Sequence, residues 1–293
     1  RQVAHALFRR IHAPRKDKPL GVFCFAGPPG VGKTLFAKVV NERLFGGNRD
    51  TFLHVDMAQF SQSFGASNLF GLPRGYAGSE QYGVLTGKLR DTPNCIILLD
   101  EFEKAHPDVH KRFLTAWNDG FITEGSDSAQ ISTRGAIFIL TTNAASEQVS
   151  AIAGQHHGDT AEISRLLGAA LREEGFAPEV VNRIDHLIAF VPIKGLDVAR
   201  VAAREIMQLV EENCLQVAMN GIEAEVLLAS VTRHEALGGT VRDIVRRIED
   251  EITDGLIAAR QAGASSIALH EEHGQVRVEV VASNPNPLLK QTP

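Results

Sequence analysis

The sequence is short of cysteine, of unbroken apolar stretches and of surplus positive charge, and each shortage excludes something. Its three cysteines, Cys24, Cys95 and Cys214, stand far apart, which indicates no disulfide framework and points to a reducing compartment, the cytoplasm. Two of them lie in apolar strand-like runs, where a cysteine behaves as a small hydrophobe. No apolar run approaches the roughly 20 residues of a membrane span, so no membrane insertion is expected. Arg1 to Arg10 form an amphipathic pattern rather than a secretory signal, and the missing initial Met, with helical periodicity already under way, reads as the start of a fragment. Lys and Arg (30) are outnumbered by Asp and Glu (35), and the net charge of −5 argues against a surface that coats nucleic acid. No nucleic-acid partner is expected, and no internal repeat is found.

What is present is enough for a large core. With 293 residues, 44% hydrophobic and 22% charged, the chain exceeds the commonest single-domain size, so one large and one small domain are expected. Gly27-Pro28-Pro29-Gly30-Val31-Gly32-Lys33-Thr34 fits the pattern G-x-x-x-x-G-K-[ST] between an apolar strand, Gly21–Ala26, and a helical stretch, Lys33–Leu44, closed by Gly46-Gly47. Glycines let such a loop turn its N–H groups onto an anion, the following helix adds its positive end, Lys33 reaches the outer phosphates and Thr34 presents a hydroxyl to Mg²⁺. Phe52–Asp56, Cys95–Leu99, Ala136–Leu140 and His186–Phe190 read as further strands, with helices at Val3–Ile11, Val84–Leu89 and Pro107–Trp117 and a Gly-rich loop over Gly65–Gly83. A basic linker with prolines at both ends, Pro14–Pro19, separates the first helix from the first strand. Strands alternating with helices predict an α/β fold, a three-layer P-loop domain around a parallel sheet. Beyond Pro192 the pattern becomes helical (Leu196–Val217, Thr240–Ala262) and ends in two alternating segments, Ile267–His270 and Val276–Val280, as in a small helical domain with a hairpin. The expected boundaries are a large domain at 1–192, a small lid domain at 193–283 and a disordered tail at 284–293, rich in proline and polar residues.

Asp100-Glu101 ends a buried strand, where open parallel sheets hold nucleotides. In that position Asp100 would hold Mg²⁺ and Glu101 would polarise the attacking water, although the same pair can also be a strand end meeting a solvated cap. The surrounding segment, Asp100-Glu101-Phe102-Glu103-Lys104-Ala105-His106-Pro107-Asp108-Val109, closely resembles DEVEKAHPDV of the second ATPase module of Clp-type AAA+ unfoldases and disaggregases. The resemblance continues through Gly71–Gly83, Thr141-Thr142-Asn143, Phe176–Asp185 and Thr240–Ile252, in the family's order.

That resemblance implies ATP and Mg²⁺ as cofactors, a polypeptide substrate and a hexameric, homo-oligomeric ring that threads the substrate through a central pore. It casts Asn143 as the sensor that places the water, where a bare reading allows a buried Asn capping a turn. It casts Arg183 as the arginine finger for a neighbouring subunit's nucleotide, where a bare reading allows an ion pair with Asp185. Arg242, in Thr240-Val241-Arg242, stands where the family has the Arg of its GAR motif, with Arg246 as substitute. Gly75-Tyr76-Ala77-Gly78 matches the pore-loop motif GYVG, which makes Tyr76 the substrate-gripping residue; a ring packed in a turn is the alternative. Glu124–Ser132 takes the place of a second pore loop but resembles the family poorly. Ala177, Arg74 and Ser79 depart from the family's usual residues, and Ala151–Asp159 offers no Ile-Gly-Phe or Ile-Gly-Leu loop, so no peptidase partner is expected. His156-His157 lacks further ligands at metal spacing and reads as a solvated loop. The alternative function is an ATP-dependent ring-assembly or scaffold module, for instance in disassembly of a secretion-linked complex, without processive threading.

Overall fold

The computed structural model describes residues 2–13, 17–62, 64–76, 79–156, 158–237, 240–273 and 275–283. Part of the Pro14–Pro19 linker, Ala77 and Gly78 of the tyrosine loop, His157 and the tail at 284–293 therefore lie outside the described residues. The chain forms two compact units, 1–191 and 192–293.

The first unit runs α1 (Gln2–Ile11), β1 (Gly21–Ala26), α2 (Lys33–Phe45), β2 (Phe52–Asp56), α3 (Gly65–Phe70), α4 (Val84–Asp91), β3 (Ile96–Asp100), α5 (Pro107–Asn118), β4 (Phe121–Thr123), β5 (Gln130–Ser132), β6 (Ile137–Thr142), α6 (Ser146–Gln155), α7 (Thr160–Glu173), α8 (Pro178–Val181) and β7 (His186–Ala189). Five strands form one sheet in the order β2-β3-β6-β1-β7, every neighbouring pair parallel. The α/β parallel-sheet class expected from the sequence is the observed one.

The apolar runs explain the layers. Successive side chains of a strand point to opposite faces, so a strand covered on both sides needs apolar residues at every position. Val22, Cys24, Ile97, Leu99, Phe138 and Leu140 pack on one face with Leu85 and Leu89 of α4 and Val109 and Phe113 of α5. Phe23, Phe25, Ile96, Leu98, Ile137 and Ile139 pack on the other with Val3 and Leu7 of α1 and Ala37 and Val40 of α2. The stretch from Gly65, expected as loop throughout, opens with α3, which buries Leu69 and Phe70 against the first of these layers.

The second unit comprises α9 (Leu196–Glu212), β8 (Gln216–Ile222), α10 (Ala224–Leu237), α11 (Val241–Gln261), β9 (Ala264–Glu272) and β10 (Gln275–Ser283). Val198, Ala202, Ile206 and Val210 of α9 and Ile244, Ile248, Ile252 and Leu256 of α11 recur every four residues and meet in one core. α11 opens on a capping box in which Thr240 and Asp243 satisfy each other's backbone N–H. The hairpin β9–β10 is present, but it belongs to a three-stranded sheet in which β8 lies parallel to β9. The helix expected to reach Val217 ends instead at Glu212, because Cys214 turns the chain into the left-handed region (φ 58°) and Leu215 drops into the core. β8 escapes a period-two reading because its ladder with β9 breaks between Val217 and Ile222.

The thiols report this packing. Burial pushes Cys24 up to about 12 and Cys95 up to about 11, whereas Cys214 is exposed. Iodoacetamide at pH 8 is expected to modify Cys214 and to leave the other two at least ~100-fold slower until the protein is denatured, as read by peptide mass spectrometry.

Candidate active site

Because β1, β6 and β3 are adjacent and parallel, the loops that leave them emerge side by side: Gly27 follows β1, Asn143 follows β6 and Glu101 follows β3. The loop after β1 turns through positive φ at Gly27 (154°), Gly30 (77°) and Gly32 (93°). A Cβ on Gly27 would lie 1.9 Å from the carbonyl oxygen of Phe190, so the approach of these two backbones demands glycine. α2 starts directly after Gly32, and the N–H groups of residues 30–34, with Val31 among them, meet no protein acceptor among the described residues. Unpaired donors converging at a helix N-terminus form an anion-binding concavity, and this donor set fits phosphate.

Lys33 is buried, with its side chain folded back toward the loop. Its Nζ donates to the carbonyls of Gly27 (2.6 Å) and Pro28 (2.8 Å) and to Oδ1 of Asn143 (2.8 Å), while Pro29 is exposed and Val31 half-buried. Burial pushes the ammonium below its usual range, while the carboxylates of Glu103 and Asp100 oppose that shift.

Asp100 is held from three sides. The Thr34 hydroxyl lies 3.3 Å from both carboxylate oxygens, His54 Nε2 lies 2.9 Å from Oδ2, and the Thr141 hydroxyl donates to Oδ1. Thr34 and Asp100 thus present neighbouring hard oxygens, the ligand type that Mg²⁺ takes. Glu101 adopts left-handed backbone (φ 55°, ψ 51°), a strained state for a residue with a Cβ. Its N–H donates to Thr141 Oγ1 (3.0 Å), its Oε1 accepts from Asn143 Nδ2 (3.2 Å), and its Oε2 lies 2.6 Å from Lys104 Nζ. That last bond holds the Lys104 ammonium above its usual range. Asn143 therefore bridges Lys33 and Glu101, while its own N–H donates to Glu103 Oε1 at 2.9 Å.

Lys33, Thr34, Asp100, Glu101 and Asn143 are thus brought into one connected set. Three more expected residues take no part in it. Arg183 is exposed and forms no ion pair among the described residues, and the Asp185 carboxylate accepts instead from the Val22 N–H at 2.9 Å. Tyr76 is 67% exposed rather than packed in a turn. Arg242 and its substitute Arg246 are exposed on α11 in the second unit.

His54, Thr141, Glu103 and Lys104 were not singled out by sequence reasoning. Lys104 and Glu103 lie inside the segment that carries the family resemblance, and Thr141 in the Thr-Thr-Asn run, but nothing local distinguishes them. His54 reaches Asp100 only because β2 is the neighbour of β3, and strand order is not written in strand periodicity. Thr141 is 1% exposed and serves two partners, so Thr141→Val should orphan the Glu101 N–H and cost about 1–3 kcal/mol. Thr141→Ser should recover most of it, both read from urea midpoints.

The family described as AAA domain (Cdc48 subfamily) matches residues 18–187. Among curated relatives, the ATP-dependent Clp protease ATP-binding subunit ClpE of Bacillus subtilis is 33% identical over 288 residues, 95% of this chain and 40% of the relative. The chaperone protein ClpB 2 of Parasynechococcus marenigrum is 34% identical over 268 residues, 89% of this chain and 29% of the relative. The negative regulator of genetic competence ClpC/MecB of Bacillus subtilis is 30% identical over 289 residues, 94% of this chain and 35% of the relative. The chain thus spans well under half the length of these relatives. Carrying the phosphate loop, the Asp-Glu pair and the Asn143 bridge on a 2-3-6-1-7 parallel sheet, the chain belongs to the Clp-type AAA+ family and is an ATPase.

Proposed function

We propose that this chain is the second ATPase module of a ring-forming, hexameric Clp-type unfoldase or disaggregase that pulls a polypeptide through a central pore. The observation that carries the reading is the Asn143 bridge, which joins the phosphate-loop lysine to Glu101 in a single hydrogen-bonded chain. A group that touches both can relay the presence of a terminal phosphate to the residue that orients water. The N–H groups of the loop Gly27–Thr34 cradle the phosphates of ATP, and Lys33 moves from its carbonyl partners to their outer oxygens. Thr34 and Asp100 would hold Mg²⁺, which would supply positive charge to the phosphates. Glu101, placed by Asn143 and by the Thr141 hydroxyl, accepts a proton from the attacking water. Arg183 acts on the nucleotide of an adjacent subunit, a role favoured by its exposure and by its having no ion partner among the described residues. Arg242, exposed on α11, would take the part of the family's GAR-motif arginine. Tyr76, exposed on the loop after α3, supplies the apolar face that grips polypeptide. The net charge of −5 and three free cysteines favour a cytoplasmic protein that handles polypeptides rather than nucleic acid. Among the described residues no helix is long and apolar enough to cross a membrane.

In the full-length protein, Glu101→Gln should retain ATP and hydrolyse it at least about tenfold more slowly, whereas Lys33→Ala should lose binding. Binding of a fluorescent ATP analogue and phosphate release measure the two; normal turnover by the Gln variant would remove the assignment of Glu101.

Subunit mixing tests the ring. Arg183→Ala alone should lose on the order of 10³-fold in turnover. Mixed with Lys33→Ala subunits, which still carry Arg183, it should recover activity above either variant alone. No recovery in a mixed oligomer would place Arg183 outside the neighbour's site.

A further inference from the structure

Glu124, directly after β4, is fully buried at 0% exposure, and the phosphate site makes no use of it. Its Oε2 accepts from the Gly83 N–H (3.2 Å) and the Thr86 hydroxyl, and its Oε1 accepts from the Ser126 N–H (3.0 Å). Gly83 and Thr86 lie where the Tyr76 segment ends and α4 begins, whereas Ser126 belongs to the turn between β4 and β5. One carboxylate therefore takes donors from two loops that are about 40 residues apart in the chain (the Gly83 and Glu124 positions differ by 41).

Other contacts run in the same direction. The Gly125 N–H donates to the Phe70 carbonyl (2.7 Å), Arg74 Nε donates to the Ser126 carbonyl (3.0 Å), and the Tyr82 hydroxyl donates to Asp127 Oδ2 (2.8 Å). Gly71, at φ 90°, makes room for the carboxylate: a Cβ there would lie 1.5 Å from Glu124 Oε1. Both ends of the Tyr76 segment, Gly71 and Gly83, are thus pressed against the same buried acid, while Tyr76 itself stays exposed. α4 then buries Leu85 and Leu89 and leads within a few residues to β3, which ends at Asp100.

We propose that Glu124 is a positioning residue that clamps the base of the Tyr76 loop to the turn at 124–128, so that the two loops bear on a polypeptide as one rigid unit. The proposal rests on the reading of Tyr76 as the gripping residue. A buried acceptor shared by two loops cannot release either without leaving polar groups unmet, and this is what makes the two segments move together.

The test uses the full-length protein in a Glu101→Gln background, which retains ATP. Glu124→Gln replaces one acceptor oxygen with a donor facing other donors. Amide hydrogen exchange over 79–86 and 124–128 should then rise together, by at least about tenfold, while 96–100 and 137–142 stay at the parent rate. Capture of fluorescein-labelled casein, followed by anisotropy, should weaken at least about fivefold. A rise confined to 124–128 would overturn the proposal, because Glu124 would then only cap its own turn. Should Glu124→Gln fail to fold, Thr86→Ala, which keeps the acid and removes one of its donors from the Tyr76 side, decides: a joint rise in both segments supports the clamp, and a rise confined to 79–86, or none, overturns it. Tyr76→Ala separates the two claims. If it captures casein like the parent, the gripping role is lost, and exchange alone judges the clamp. If it fails to capture while the loosened Glu124→Gln captures normally, the clamp has no part in holding polypeptide.

Discussion

Parallel pairing of β1, β6 and β3 is the constraint from which the chemistry follows. With Ala26 opposite Thr142 and Leu99 opposite Leu140, the three strands end nearly level, and the residues that follow them are forced into contact distance. Gly27, Asn143 and Glu101 are neighbours for no other reason, since 116 positions separate the first two and 42 the last two. The register depends in turn on the two apolar layers. A slip of one residue in any of the strands would exchange the faces of Phe23 and Cys24, or of Leu98 and Leu99, between helix layers of different shape.

Electrostatics then tightens what the sheet has assembled. A buried ammonium is unfavourable unless it is well partnered, and Lys33 has two carbonyls, an amide oxygen and the field of Asp100 and Glu103. Asp100 is likewise supported by the Thr34 and Thr141 hydroxyls and by His54. The strained backbone at Glu101 is retained in this setting because its N–H and both carboxylate oxygens are engaged. These groups form one network, so substitutions within it should not behave additively. The periphery is built differently: the side chains of Tyr76 and Arg183 are exposed and stand outside this network.

The amino-acid sequence by itself determined the phosphate loop, the five strands of the parallel sheet and the parallel class, because each is a local property. A run such as Cys24 flanked by four apolar residues can only be buried on both faces, and Gly27, Gly30 and Gly32 mark a turn that other residues would strain. Asp100 and Glu101 were legible for the same reason, as carboxylates at the end of an apolar run. The tertiary structure alone decided the partners. His54 meets Asp100 through strand order, Asp185 turns to the Val22 N–H rather than to Arg183, and β8 joins β9 through a broken ladder that carries no alternation. Glu124 is the extreme case, an acid whose segment showed only the place of a second pore loop and which is buried under two loops. Periodicity records which face of an element is apolar, whereas a polar contact depends on which distant backbone arrives beside it, and that is settled only when the layers pack.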